Sequence, residues 1–349
     1  MTGAVEALSL VWLFIFFVVA AAGVWTAGLR LTYVVDELAD RHRLAKSLVG
    51  LLLLSTATSL PEVATTLTAA IQQSQALVLN NLFGGVALQT AILALADFWA
   101  RGALTYYPRK VTHALEATIL VSLMAMMIII VELGEPLVIG HVGLGSLFVG
   151  LVYVGSIWLL RRYDADHDWI PVDLPEDAES EPVIARIGSE VTSRNLAVQC
   201  ALACFAILVF GVVLVVLAEE LAEDTGLGAG FIGVTLLALA TSLPELTTSI
   251  TAVRMGSYTL AISNVFGSNL IMMVLVLPAD FLFFSGPILG DVGGTARLSL
   301  SFGILVTGLF LGGLIIRRKP RLGPIGLDSA LVLAAFGGSL LAYWWVSGR

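Results

Sequence analysis

The heptapeptides TATSLPE, from Thr56, and LATSLPE, from Leu239, stand 183 residues apart, each inside a long apolar run. A charged carboxylate at the centre of a bilayer costs roughly 3 kcal/mol or more. A chain that carries the same buried acid twice must therefore supply something to balance it. The surrounding composition sets the medium: 58% of the 349 residues are hydrophobic and 13% charged, against about a half and a quarter in soluble domains. The chain reads as an all-α integral membrane protein whose backbone groups must be satisfied within helices. A net charge of -8 argues against nucleic acid as a partner.

A spanning helix needs roughly 20 apolar residues. Ten candidates run near 8–29, 47–71, 77–98, 112–131, 137–160, 195–217, 229–253, 258–284, 298–316 and 325–346. The first lacks a basic n-region and is long enough to span, so it is expected to remain in the protein rather than act as a removable leader. Alternating the loops between the two sides places every lysine and arginine except Arg297 and Arg349 on one side. That side is expected to face the cytoplasm of a plasma or inner membrane, with both termini outside. The polar stretch from Arg161 to Arg194 is acidic and too short for a domain of ordinary size. The expected organisation is thus a first half over 1–160, a cytoplasmic linker over 161–194 and a second half over 195–349. His167, between Asp166 and Asp168, reads as part of a solvated loop. Cys200 and Cys204 lie four apart on one apolar helix and read as small buried hydrophobes. With four scattered histidines they make no convincing zinc or haem site.

The repeat extends beyond the heptapeptides. LSTATSLPEVATTLTA, from Leu54, and LALATSLPELTTSITA, from Leu237, agree at 10 of 16 positions. The offset of 183 persists through Asn81 and Asn264, Phe83 and Phe266, Gly84 and Gly267, and Asp97 and Asp280. Such a register marks duplication. Five spans separate the copies, and an odd number inverts the second relative to the first. Inverted repeats place a site near the midplane where the two halves meet.

Glu62 follows Pro61, which lacks a backbone donor and frees a carbonyl one turn back. Thr58 and Ser59 lie four and three residues before it, on the same helical face. Thr241, Ser242, Pro244 and Glu245 repeat the arrangement. Carboxylates, hydroxyls and freed carbonyls form a hard oxygen set suited to calcium or sodium. Two ionised glutamates carry charge -2, which one divalent cation, two monovalent cations or two protons neutralise. An empty, fully charged site pays desolvation and repulsion, which disfavours its crossing alone and favours exchange over leak. Asn81, Asn264, Asn269 and Gln89 are deep amides that need partners, and Ser268 adds a hydroxyl. Gly84, Gly85 and Gly267 suit close helix packing. Glu132 and Glu135, with other acids on the outer side, read as a solvated rim. Asp97 and Asp280 read as helix boundaries, and Glu116 has no evident counterpart.

The ATSLPE segments at Ala57–Glu62 and Ala240–Glu245, with SNVFGSNLI at Ser263–Ile271, resemble the alpha repeats of the sodium/calcium exchanger branch of the cation/calcium antiporter superfamily. The resemblance implies ten helices in two inverted five-helix repeats. It implies that Glu62 and Glu245 bind calcium and share sodium coordination. It gives Thr58, Ser59, Thr241 and Ser242 backbone or hydroxyl oxygens, and Ser268 a further hydroxyl. The family pattern expects serine at Gly85, asparagine at Val86, and asparagine or aspartate at Gln89 and Met272. A thioether is a poor partner for calcium.

A calcium antiporter driven by sodium is the leading expectation, with calcium/proton exchange, or exchange of another divalent cation, as the alternative. The transported ions are cargo, and no cofactor is expected. The first and sixth helices are expected to slide or rock against the repeat core. A channel would need a continuous hydrophilic filter; the polar residues here form one local cluster. An enzyme would need a nucleophile or metal constellation that the sequence lacks. Cations and lipid are the expected partners, and a monomer is the expected functional unit.

Overall fold

The computed structural model describes residues 9–108, 111–135, 137–166, 191–224, 238–317 and 321–347. Within them lie eight straight helices able to span a membrane and one bent pair, nine candidate spans if the pair counts as one. The described part of a tenth is α8. The architecture is the expected one, an all-α membrane protein of two inverted five-helix repeats. His167 and most of the linker lie outside the described residues.

In the first repeat, α1 is Leu10–Arg41, α2 is Lys46–Thr58, α3 is Leu60–Ile71, α4 is Gln75–Ala96, α5 is Thr112–Leu133 and α6 is Leu144–Asp166. In the second, α7 is Ser193–Asp224, α8 is Leu243–Arg254, α9 is Tyr258–Leu282, α10 is Gly294–Ile316 and α11 is Leu327–Ser347. Burial ranks them. In α9, 83% of the most apolar window is buried, and in α11 only 17%. The core is therefore α9 and α4, which pack on each other and on the α2–α3 break, while α11 lies at the outside of the bundle.

α1 runs for 32 residues rather than the 22 expected, about 48 Å of helix against roughly 30 Å of hydrocarbon. Its last turns carry the excess length into a charged cluster: Arg41 pairs with Glu37 at 2.6 Å and Lys46 with Asp36 at 3.0 Å. Leu13, Ala20, Val24, Ala27 and Leu31 on α1 are buried, as are Leu196, Cys200, Ala203, Ile207 and Leu214 on α7. Steps of three, four and seven residues make this a lengthwise seam of the coiled-coil kind. The helix pair bears on the core through two glycines that the 183 offset relates. A Cβ on Gly28 would stand 3.0 Å from the Thr247 side chain on α8, and one on Gly211 would stand 2.5 Å from Pro61 on α3. Cys200 and Cys204 are free thiols within this seam region.

Two expected spans start later than read. Residues 137–143 include a hairpin, β1 (Val138–Ile139) paired with β2 (Val142–Gly143), and helix begins at Leu144. β3 (Arg321–Leu322) and β4 (Ile325–Gly326) form the equivalent hairpin before Leu327. Gly140 and Gly323 turn the two chains with φ of +70° and +66°, where a side chain would be strained. The duplication thus extends to these hairpins, whose apolar letters disguised them as helix.

Asp97 and Asp280 do more than end their helices. Asp97, fully buried, accepts from the Leu104 amide at 2.7 Å and from the Gly326 amide at 2.6 Å. Asp280, equally buried, accepts from the Ile288 amide at 2.7 Å, the Gly143 amide at 2.8 Å and the Ser146 hydroxyl at 2.5 Å. Gly143 and Gly326 are themselves repeat equivalents, so each half anchors the other's hairpin. Glu135, read as part of a solvated rim, is 5% exposed, and its carboxylate accepts from the Gly145 amide at 3.0 Å. Burial pushes its carboxyl above the usual glutamate range, and the nearby Asp280 adds to the rise.

Two outcomes follow. Asp97→Ala and Asp280→Ala should each cost about 3 kcal/mol, the worth of charge-assisted bonds plus the buried amides left without partners. Thermal unfolding in detergent, followed by tryptophan fluorescence, reads this; an unchanged midpoint would mean that the hairpins are held by other contacts. For Glu135 the folded protein binds the proton more readily than the unfolded chain. Its contribution to stability therefore falls as pH rises from the unfolded value to the raised one. Glu135→Gln should remove that slope and leave the protein more stable at neutral pH, as measured by unfolding midpoints across pH.

Candidate functional site

Both repeats break their helices at the same place. Between α2 and α3 the axis turns by 52° at Ser59. Before the turn, Val49–Leu54 is wound as π-helix, a widening common at functional positions. Ser59 takes φ -80° and ψ 4°, and Ser242, ahead of α8, takes φ -87° and ψ 7°. The amides repeat as well: Ser59 donates to Ser55 and Val63 to Ser59, while Ser242 donates to Ala238 and Leu246 to Ser242. Pro61 and Pro244 follow each break. Neither has an N–H, so the carbonyls of Ala57 and Ala240, one turn back, lose their helical donors. These two carbonyls are the ones that the proline signal implied without numbering.

The breaks bring Glu62 and Glu245 into one cluster: each is fully buried, and the hydroxyl of Ser59, three residues before Glu62, reaches Glu245. Ser59 donates to Glu245 Oε1 at 3.4 Å, and Ser268 donates to the same oxygen at 3.3 Å. Thr58 and Ser268 hydroxyls stand 3.4 Å apart, and the Thr58 hydroxyl points at Asn264 Oδ1 at 3.5 Å. First-repeat hydroxyls thus meet second-repeat groups across the interface. Glu62 is different. Neither of its oxygens has a hydrogen-bond partner among the described residues, and Glu245 Oε2 also lacks one. Gln89 on α4 is fully buried, and among the described residues neither of its amide atoms has a partner.

The remaining residues take two kinds of place. Asn264 donates to Thr248 at 3.0 Å, tying α9 to α8 while its oxygen faces Thr58. Asn81 donates to Thr66 at 3.0 Å and so ties α4 to α3; no hydrogen bond joins it to either glutamate. Thr241 turns its hydroxyl back onto the Ala238 carbonyl at 3.0 Å, and Ser242 is buried at the second break. Asn269 donates to Thr90 at 3.3 Å and leaves its oxygen free. Of the three glycines read as packing points, Gly85 and Gly267 meet neighbouring helices, and Gly84 faces open space. Thr248 and Thr90 were not singled out from sequence, since a threonine in a helix gives no signal of the amide it will receive.

A second polar cluster lies on α5. His113 and Glu116 are buried, 2.9 Å apart, and Ser263 of α9 donates to Glu116 at 2.8 Å. Glu116 therefore has a local partner that sequence reading did not find. Among the described residues no group of three or more histidine, cysteine, aspartate or glutamate side chains is placed to hold a metal ion. The oxygen set at the breaks consists of two carboxylates, an amide, hydroxyls and freed carbonyls. Its donor chemistry fits a hard cation carried as cargo.

Comparison with known proteins bears on the family and the fold. Residues 12–161 and 195–346 match the family model described as sodium/calcium exchanger protein. The candidate antiporter CaxA of Alkalimonas amylolytica is 25% identical over 327 residues, covering 90% of this chain and 93% of its own. The inner membrane protein YrbG of Escherichia coli is 26% identical over 272 residues, 74% of this chain and 76% of its own. The fold is also that of the sodium-calcium exchanger NCX_Mj, with a TM-score of 0.70 at 15% identity over 96% of this chain and 99% of that one.

The site is also sensitive to the spacing of α9 from α2. A Cβ on Gly267 would stand 2.5 Å from the Leu51 carbonyl and 2.6 Å from the Ser55 hydroxyl. Gly267→Ala should push the helices apart and cost about 1–3 kcal/mol, with Ser268 drawn away from Glu245. Unfolding midpoints in detergent measure the cost; an unaltered midpoint would show that α9 can shift freely.

Proposed function

The chain belongs to the sodium/calcium exchanger protein family, and from there we propose that it exchanges Ca2+ for Na+ across the membrane by alternating access. The observation that carries this reading is the pair of buried glutamates, one from each inverted half, with three of four carboxylate oxygens lacking a hydrogen-bond donor among the described residues. Hydrocarbon cannot hold that charge alone. One Ca2+ between Glu62 and Glu245 neutralises it, and so does a pair of Na+ ions. Gln89 supplies an amide oxygen, and Thr58, Ser59, Thr241, Ser242 and Ser268 supply hydroxyl or backbone oxygens. Asn264 orients Thr58. Asn81 acts one step away, by fixing the α3–α4 spacing through Thr66.

Exchange then follows from electrostatics. With a cation bound, the pocket is neutral and the moving part can pass its low-energy barrier. With both carboxylates bare, the transition carries charge -2 through a low dielectric and is blocked. The moving part is the α1–α7 pair, which rests on the core at Gly28 and Gly211. Small residues at these bearings let the pair slide without unlocking side chains. CaxA, named as a candidate antiporter and matched over nearly its full length, supports antiport. The basic loops and the 161–194 linker face the cytoplasm in this reading, with 1–160 and 195–349 as the two transporting halves. The membrane is the plasma or inner membrane, both termini lie outside, and one chain suffices.

A second reading, Ca2+/H+ exchange, is favoured by one observation. Met272 is buried and apolar at the repeat equivalent of Gln89, which leaves fewer oxygens for a second monovalent ion than for two protons. Calcium flux into proteoliposomes, with sodium and proton gradients imposed separately under clamped voltage, separates the two. Sodium drive at constant pH is expected. Glu62→Gln and Glu245→Gln should each lower Ca2+ affinity roughly tenfold or more, the loss of a charge-assisted contact worth about 1.5–3 kcal/mol. Undiminished flux and affinity in both variants would sink the site.

A further inference from the structure

The internal twofold relates Gly85 on α4 to Ser268 on α9, and Gln89 on α4 to Met272 on α9. It therefore maps one pair across the α4–α9 interface, Gly85 with Met272, onto another, Ser268 with Gln89. The second pair is polar. The Ser268 hydroxyl reaches Glu245 at 3.3 Å and Thr58 at 3.4 Å, and Gln89 brings a buried amide without partners. The first pair is apolar and full. A Cβ built on Gly85 would lie 2.7 Å from Met272 Cε and 2.8 Å from its Sδ, closer than real side-chain carbons come. The Met272 side chain is 1% exposed, so a side chain at position 85 must displace the thioether end within the buried interface. The difference reaches the glutamates: the Ser268 contact on Glu245 has no equivalent on Glu62, because position 85 carries no hydroxyl.

We propose that Met272 plugs one of two twofold-related lobes of the cation pocket, leaving a central position between the glutamates and a single flanking position at Ser268 for a small monovalent cation. Met272 is then the residue that sets how many such cations are coupled to each divalent ion. This rests on the exchange reading above, at the same pocket. A thioether offers no hard oxygen, and its methyl group occupies the volume a cation and its ligand would need. The missing hydroxyl at position 85 and the thioether at 272 form one unit, because either change alone leaves the lobe closed or mismatched.

The test is a cycle on the full-length protein purified in detergent: Gly85→Ser, Met272→Gln, the two together, and Met272→Leu. The pair copies the polar lobe onto the plugged one. Two measurements are made, binding of radioactive Ca2+ with displacement by Na+, and unfolding midpoint without either ion. Gly85→Ser alone should drive its side chain into the thioether, lower the midpoint and weaken Ca2+ binding by about tenfold. Adding Met272→Gln should recover both and raise the Hill slope of Na+ displacement by about one, since slope is bounded by the number of sites. Met272→Leu, an apolar filler of similar size, should keep the wild-type slope. Strictly additive midpoints, together with an unchanged slope in the paired variant, would overturn the plug. If the wild-type chain binds no Ca2+, the exchange reading fails instead, and the midpoints alone decide whether the two residues share one space.

Discussion

Charge in a medium without water governs this protein. Two carboxylates sit fully buried in the core of a membrane protein, and among the described residues hydroxyls reach one of their four oxygens. Everything else in the core serves to make that arrangement possible. The helices that carry the acids break, because continuous helix would bury the backbone oxygens in their own hydrogen bonds. Serine at each break and proline two residues later leave a carbonyl one turn back without its helical donor. The cost of the bare pair is also the basis of coupling, since a pocket that is stable only when neutralised moves only when occupied.

The second constraint is the inverted duplication. It brings one broken helix from each half to a common midplane and supplies the same chemistry from opposite directions. The same symmetry acts at the periphery, where Asp97 holds the hairpin at Gly326 and Asp280 holds the one at Gly143. Each half therefore depends on the other for its outermost connections as well as for its centre. Gly28 and Gly211, again equivalents, seat the α1–α7 pair on the two breaks. The departure from symmetry is then informative. Ser268 and Gln89 keep a polar lobe, while Gly85 and Met272 close its twin by filling it.

Much of this was legible in the letters. The offset of 183 disclosed the duplication, and the odd number of spans between copies its inversion. Proline after a hydroxyl pair marked each break. Where reading failed, the reason was physical. Residues 137–143 and 325–326 are apolar enough to pass as helix, yet glycines at 140 and 323 turn them into hairpins. Asp97 and Asp280 resembled ordinary helix ends, because the amides that bind them come from distant residues. Glu135 resembled a surface acid, although its backbone conformation folds it against Gly145.

The sequence by itself determined the medium, the helix count, the repeat and the hard-oxygen character of the two repeated segments, because these depend on composition and spacing along one chain. Only the tertiary structure decided which oxygens remain without donors, which amides brace the breaks and where Met272 lies. Those depend on which helices touch, and contact between α4 and α9 or between one half's aspartate and the other half's glycine leaves no trace in local pattern. A hydrogen bond or a filled volume is a property of two segments at once.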